Sequence, residues 1–207
     1  MATSGRLKSD DDPSHPTPPS SIPSRPSSAV RSALDIDTQA GMPVSETFRT
    51  VVLVFLGTHI PATLMMDSQA LLPPAIVPGF MKSLLRFHVD TNADPLMANP
   101  PTWFKSFILF ELLFQLPFFF IGFKAFRERK NWIRIPGVVY GAHTATTLVP
   151  ILAEILHTDS FPDEAARWKL FFIYLPYLIV PALMAYVLGV DDKPFGAKGG
   201  TNKLKLF

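Results

Sequence analysis

Four long apolar blocks constrain the fold of this chain more than any other feature of its sequence. They cover residues 48–66, 106–123, 136–153 and 170–190. Each approaches the roughly 20 residues that a helix needs to cross ~30 Å of hydrocarbon, where the backbone must satisfy its own hydrogen bonds. Block 170–190 contains no charged residue, whereas a soluble core helix would show a polar residue at every third or fourth position. The sequence therefore predicts an all-α integral membrane protein with a four-transmembrane-helix bundle.

Charge and composition exclude several classes of protein. Only 17% of the 207 residues are charged, against roughly 25% in soluble domains. The formal net charge is +2, and Lys and Arg lie mainly in loops and tails, so nothing indicates binding to nucleic acid. The absence of cysteine excludes disulfides, thiolate metal sites and cysteine nucleophiles. We predict neither a cofactor nor a metal ion.

The two ends of the chain differ from the membrane blocks. Residues 1–46 contain seven prolines, ten serines and no aromatic residue, which predicts a disordered tail. We expect the membrane domain to cover 47–190 and a second tail to cover 191–207. Near the end of that tail, Lys203 and Lys205 form a pattern similar to the dilysine retrieval signal of endoplasmic-reticulum membrane proteins.

The connections between the blocks predict an orientation. The second connection carries a single acid and five basic residues, Lys124, Arg127, Arg129, Lys130 and Arg134. By the positive-inside rule this connection is cytoplasmic, and both termini of a four-span chain are then cytoplasmic as well. In the first connection, residues 80–90 have a helical pattern with one mostly apolar face, formed by Met81, Leu84, Leu85 and His88. That pattern predicts a short helix at the membrane surface or capping the bundle.

Ionisable and polar side chains inside the apolar blocks are candidates for a site, because charge in a bilayer is costly and such groups usually face a cavity. Glu111 and Gln115 share one helix face in the second block. His59 lies in the first block and Asp67 at its far end, within about a quarter turn of the same face. In the third, His143 and Thr147 share a face. Each of these side chains also has a purely structural interpretation. Glu111 and Gln115 could be a buried polar pair that fixes helix packing. Asp67 could cap the span at the interface, and His59 could be a histidine whose hydrogen bonds are satisfied within the bundle.

Every block also contains an interior proline, which removes a helix hydrogen bond and tends to kink the helix. These residues are Pro61, Pro117, Pro150, Pro176 and Pro181. Kinked helices with intramembrane acids predict a ligand pocket with apolar walls and a few acidic points. Its ligand would be greasy with one polar or cationic group, and Tyr174 and Tyr177 offer hydroxyls or ring faces for it.

Asp67 and Glu111 leave two kinds of chemistry open. Two close carboxylates in a low dielectric do not easily both ionise, so one is expected to be protonated and to hydrogen-bond the other. An amine ligand would pair with the ionised partner. The same two groups could instead protonate an alkene and remove a neighbouring proton. The residues alone do not separate binding from turnover.

Several motifs resemble those of a known family. They are His59-Ile60-Pro61, Met66-Asp67, Asp94-Pro95-Leu96, Pro101-Thr102-Trp103-Phe104-Lys105-Ser106-Phe107, Glu111-Leu112, Phe114-Gln115-Leu116-Pro117-Phe118-Phe119, Trp132-Ile133-Arg134, His143-Thr144 and Thr146-Thr147-Leu148. Together they resemble the sigma-2 receptor (transmembrane protein 97) family, one of the EXPERA-domain proteins that include the emopamil-binding sterol isomerase. The resemblance covers about 48–188 and not the proline-rich tail.

The resemblance implies a four-helix EXPERA fold in the endoplasmic-reticulum membrane, often as a homodimer, with the nuclear envelope and endolysosomal membranes as further locations. It implies binding of cholesterol, oxysterols and cationic amphiphilic molecules, and a role in cholesterol homeostasis. A Niemann-Pick C1-type protein is the implied partner, although that link belongs to the animal members.

The resemblance also assigns roles to residues. Asp67 would pair with a ligand amine, Glu111 would hydrogen-bond Asp67, and Asp94 would support the structure. The sterol-contacting positions of the family correspond to His59, Gln115, Thr147 and Tyr174, and Ile173 replaces the neighbouring family valine.

The rival function is a sterol Δ8-Δ7 isomerase in which Glu111 and Asp67 handle protons and His59 assists. A cationic transition state would explain why amines bind such pockets. A transporter is the third class, and the lack of an internal repeat disfavours it.

Overall fold

The computed structural model describes Met1 and residues 44–196, and the regular structure of this part is helical. In chain order the helices are α1 (Glu46–Met65), α2 (Gly79–Asn92), α3 (Pro95–Ala98), α4 (Thr102–Phe110), α5 (Leu116–Arg127), α6 (Arg134–His157) and α7 (Glu164–Val190). A 3-10 turn, Asp67–Ala70, follows α1, a π-helical turn, Glu111–Gln115, joins α4 to α5, and a second 3-10 turn, Asn131–Ile133, precedes α6. Most of the two predicted tails lies outside the described residues, and so does the predicted signal at Lys203 and Lys205.

Among the described residues, four helical segments are long and apolar enough to cross a membrane. They are Glu46–Ala70, Thr102–Arg127, Asn131–His157 and Glu164–Val190, called spans 1 to 4 below. Each contains most or all of one predicted apolar block, so the prediction of a four-helix membrane bundle is confirmed. Large apolar side chains such as Val54, Phe114, Val139 and Phe172 are exposed on the outer faces of the spans. In a bilayer these faces would contact the acyl chains.

Span 3 packs closely against span 4, and α1 of span 1 packs against α5 of span 2. Gly141 shows how tight the first of these contacts is. A Cβ atom added to Gly141 would meet the backbone carbonyl oxygen of Pro181 and lie 2.9 Å from the backbone nitrogen of Ala185. Small residues at helix crossings allow this close approach of two membrane helices.

The bundle has two apolar clusters with a polar layer between them. One cluster includes Val52, Leu56, Phe119, Phe126, Met184 and Leu188. The other includes Leu96, Phe104, Ile108, Ile151, Ile155 and Leu170. Between the two along spans 1 to 3 are buried polar side chains: His59, Thr63, Gln115, Thr144 and Thr147. Because a polar layer within a membrane bundle is costly, its side chains are the natural place to look for a site.

The first cluster lies at the end of the bundle where the continuous segment 44–196 begins and ends. There the backbone N–H of Val44 donates to the carbonyl oxygen of Pro194, at 2.7 Å. Arg134, the first residue of α6, donates to the carbonyl oxygens of Leu188 and Gly189 and so caps the end of α7. Its guanidinium also pairs with Asp192 at 2.9 Å. The two ends of the membrane domain are therefore on the same side.

Candidate ligand site

A cavity of about 240 Å³ lies in the polar layer, with walls from all four spans and from α2 and α3. All eight side chains predicted to bind ligand line it: His59, Asp67, Glu111, Gln115, Thr147, Ile173, Tyr174 and Tyr177. Much of the remaining wall is apolar, with Met66, Met97, Phe104, Phe107, Ile108, Leu148 and Ile151. The cavity therefore suits a ligand with a large apolar body and few polar groups.

Asp67 and Glu111 form an acid pair in the wall. Asp67 opens the 3-10 turn after α1, and Glu111 is the first residue of the π-helical turn. Their carboxyl groups lie close together in the cavity lining. Thr63 Oγ1 donates to Glu111 Oε1 at 2.5 Å. Because an ionised carboxylate only accepts hydrogen bonds, a bond between two carboxyl groups requires one proton on the pair. The pair can thus hold one proton and one negative charge.

The π-helical turn explains how span 2 presents its two polar residues. Pro117 lies in the first turn of α5, where its missing N–H would otherwise interrupt the helix, and the N–H of Leu116 donates five residues back to Glu111. Glu111 bonds to span 1 through Thr63. Gln115 bonds to span 3, because its Oε1 accepts from Thr144 Oγ1 at 3.0 Å. The two residues both line the cavity, but they connect span 2 to different helices.

Asp94 is fully buried and lies behind the cavity wall. As the N-cap of α3 it accepts hydrogen bonds on Oδ1 from the backbone N–H groups of Leu96 and Met97, both at 3.0 Å. Its Oδ2 accepts from the Tyr174 hydroxyl at 2.8 Å and lies 3.0 Å from His88 Nε2. The hydroxyl of Tyr174 is thus directed at Asp94, and the ring forms part of the cavity wall.

His59 lies among aromatic rings at one side of the cavity. Its ring centroid is 4.8 Å from those of Phe55 and Phe119 and 4.7 Å from that of Tyr177. Its Nδ1 is buried without a hydrogen-bond partner in the described part of the chain. One nitrogen of the imidazole is therefore packed among aromatic rings, while the ring as a whole forms part of the cavity lining.

Two residues near the acid pair received no site role from the sequence. Thr63 lies four residues before Asp67, a helical spacing that points both toward one face. His88 was expected on the mostly apolar face of the 80–90 helix, and it does line the cavity. Conversely, His143 shares a face with Thr147 in the sequence pattern, yet only Thr147 lines the cavity, while the His143 ring lies 6.1 Å from Phe110.

The five prolines of the spans all lie outside the cavity lining. Pro61, Pro150 and Pro176 are exposed within their helices, and Pro181 is buried at the contact with Gly141. The prolines therefore supply none of the walls of the cavity.

The fold and the cavity define a class: a multi-pass α-helical membrane protein with a cavity between its spans and an acid pair in the wall. Comparison with known proteins makes the class more specific. The model of the EXPERA (EXPanded EBP superfamily) family matches residues 80–188, just over half of the chain.

Individual relatives agree with this match. Sigma intracellular receptor 2 of Homo sapiens is 43% identical over 143 residues, which cover 64% of this chain and 81% of the relative. The protein of the same name from Xenopus tropicalis is 42% identical over 143 residues, covering 65% and 83%. Efficient mitochondria targeting-associated protein 19 of Schizosaccharomyces pombe is 28% identical over 144 residues, covering 68% and 74%. The chain belongs to the sigma-2 receptor family of the EXPERA superfamily, as its sequence motifs predicted.

Proposed function

We propose that this protein is an endoplasmic-reticulum membrane receptor or regulator that binds sterols and cationic amphiphilic molecules in its cavity and acts in sterol homeostasis and trafficking. The observation that carries the proposal is the acid pair of Asp67 and Glu111 in the wall of an otherwise largely apolar cavity. The similarity to proteins named Sigma intracellular receptor 2 supports a receptor.

The two ligand classes use different parts of the wall. A ligand amine pairs with ionised Asp67, while Glu111 keeps the proton that joins the two carboxyl groups. In a cavity that excludes water, such a pair is far stronger than on a surface. A sterol is neutral, and its hydroxyl finds hydrogen-bonding groups in Gln115, Thr147 and His59. Its rings pack on the apolar and aromatic wall.

The test is Asp67→Asn in the purified full chain in lipid nanodiscs, with binding of a tritiated hydrophobic tertiary amine and of tritiated cholesterol. Affinity for the amine falls by at least about 10-fold, because the ligand cation is left buried without its counter-charge. Affinity for cholesterol stays close to that of the parent. Asp90→Asn, on the exposed side of α2, is the control and keeps both affinities. Unchanged amine affinity in Asp67→Asn would refute the ion pair.

A second candidate function is a sterol isomerase, favoured by the imidazole of His59 in the lining of the same cavity as the acid pair. Glu111 and Asp67 would supply and remove protons, with His59 assisting. Incubation with a Δ8 sterol separates the two functions. A Δ7 product that disappears in Glu111→Gln supports the enzyme. Saturable sterol binding without product supports the receptor.

Location and partners follow from the same proposal. We place both termini in the cytoplasm, where Lys203 and Lys205 would be read as a retrieval signal, with the nuclear envelope and endolysosomal membranes as further locations. A homodimer and a Niemann-Pick C1-type partner are supported by the family resemblance. Lipid analysis of the protein purified from its native membrane would identify the bound ligand directly.

A further inference from the structure

Helix α2 covers one end of the cavity with few of its own side chains. None of its 14 residues is fully buried. His88 is its one contribution to the cavity lining. Leu85 and Val89 pack only at the margin of the neighbouring apolar cluster. The share of the wall that comes from α2 therefore depends on one imidazole.

The contacts of His88 define its tautomer and its role. Asn92 Nδ2 lies 3.2 Å from His88 Nδ1, and His88 Nε2 lies 3.0 Å from Asp94 Oδ2. An amide N–H₂ group only donates, so Nδ1 is the acceptor and Nε2 carries the hydrogen that is donated to Asp94. The same Oδ2 atom accepts from the Tyr174 hydroxyl at 2.8 Å. One carboxylate oxygen thus joins a wall residue of α2 to a wall residue of span 4.

Asp94 is fully buried, so each of these donors matters to it. A buried carboxylate that loses a donor bears a desolvation cost that no water relieves. Two other hydrogen bonds connect α2 to neighbouring segments, and both lie outside the cavity lining. Lys169 Nζ donates to the carbonyl oxygen of Thr91 at 2.7 Å, and Gln69 Nε2 donates to the carbonyl oxygen of Met81 at 2.9 Å. They hold the two halves of the helix, whereas the bond from His88 acts at the cavity itself.

We propose that His88 is a positioning residue that closes the α2 end of the cavity by sharing the Asp94 carboxylate with Tyr174. Asp94 does not touch the ligand space and acts on it through these two neighbours. The closure keeps water away from the acid pair and slows exchange of the ligand. Its consequence for ligands rests on the proposed function, but closure itself can be measured without any ligand.

Because the chain contains no cysteine, a single introduced cysteine can report how accessible the cavity is to a reagent in water. Ala62→Cys places one thiol in the cavity lining, and a charged, water-soluble maleimide in nanodiscs reports its accessibility. Adding His88→Leu raises the labelling rate by at least about 10-fold, the scale expected when a hydrogen bond to a buried charge is lost. His88→Gln, whose amide nitrogen replaces Nε2 as donor, returns the rate to within a few-fold of the parent.

Tyr174→Phe removes only a hydroxyl and also speeds labelling of Ala62→Cys. Together with His88→Leu it produces less than the product of the two single effects, because both act on Asp94 Oδ2. Arg86→Gln, on the exposed side of α2, is the matched control and leaves the rate unchanged. Equal labelling in the His88→Leu, Tyr174→Phe and parent backgrounds would overturn the proposal.

A second thiol position separates opening from unfolding. Ala125→Cys is fully buried in the other apolar cluster and stays unlabelled in every background. If the thiol of Ala125→Cys also reacts in the His88→Leu background, that variant has unfolded. The labelling rate in Tyr174→Phe then decides whether the hydrogen bonds to Asp94 close the cavity. Binding of tritiated amine and cholesterol is measured on the same samples. A parent that binds neither ligand rejects the proposed function, while the labelling rates still decide whether His88 closes the cavity.

Discussion

Thr63 places a hydroxyl at the acid pair, in a fully buried position on α1. It donates to Glu111 Oε1 at 2.5 Å. A pair that carries one proton and one negative charge needs donors to stabilise that charge, and the described residues around it are mostly apolar. The hydroxyl therefore helps the pair to keep a negative charge available for a cation.

Thr63→Val tests this role, because valine has nearly the same shape and lacks the donor. We expect affinity for a tertiary amine to fall by about 10-fold, because the buried acid pair, which carries one negative charge, loses a hydrogen-bond donor. The matched control is Thr146→Val, since that hydroxyl is exposed and donates to the carbonyl oxygen of Ala142 in its own helix. Equal amine affinity in the two variants would remove Thr63 from the site.

The sequence was informative about which residues line the cavity. Polar side chains inside apolar spans usually face the protein interior or a cavity, and the motif resemblance indicated which of them contact a ligand. Asp67 and Gln115 were therefore identified from the sequence. The partner of the Tyr174 hydroxyl was beyond such reasoning. Asp94 is 80 positions away in a short, proline-flanked segment, and no periodic pattern orients that segment toward span 4.

At the scale of elements, hydropathy located the four spans but not the irregular turns between and within them. The predicted block 106–123 runs through the π-helical turn without a change in hydrophobicity, so Pro117 was expected to kink an α-helix. Instead it lies at the start of α5, where the wider turn accommodates its missing N–H. The four-residue helix α3 was also missed, because it depends on capping by Asp94 rather than on a repeating pattern.

The contact between spans 3 and 4 is the element-scale feature most sensitive to a single atom. Gly141→Ala puts a methyl group against the backbone oxygen of Pro181, so one of the two helices must shift. We expect the free energy of unfolding to fall by about 1–3 kcal/mol, as for other overpacked sites. Gly189→Ala is the control, because open space surrounds its added methyl. Thermal unfolding followed by tryptophan fluorescence measures both, and equal midpoints would contradict the tight crossing.

At the scale of the whole bundle, residues 44–196 have two ends that carry different connections. At one end are the beginning of span 1, the connection between spans 2 and 3, and the end of span 4. Arg129 of that connection pairs with Glu46 at 2.7 Å, and Val44 bonds to Pro194. The other end carries α2, α3 and the connection between spans 3 and 4. Because the basic residues of the second connection all belong to the first end, the positive-inside rule predicts that this end faces the cytoplasm.

Single cysteines test this orientation without background labelling. Glu128→Cys is exposed in the second connection, and Ser160→Cys is exposed in the third. In sealed microsomes with the cytoplasmic face outward, an impermeant maleimide should label Glu128→Cys at once. It should label Ser160→Cys only after detergent opens the vesicles. The reverse pattern would place the end of span 4 in the lumen, where Lys203 and Lys205 could not meet a cytoplasmic coat, and the proposed retrieval would fail with it.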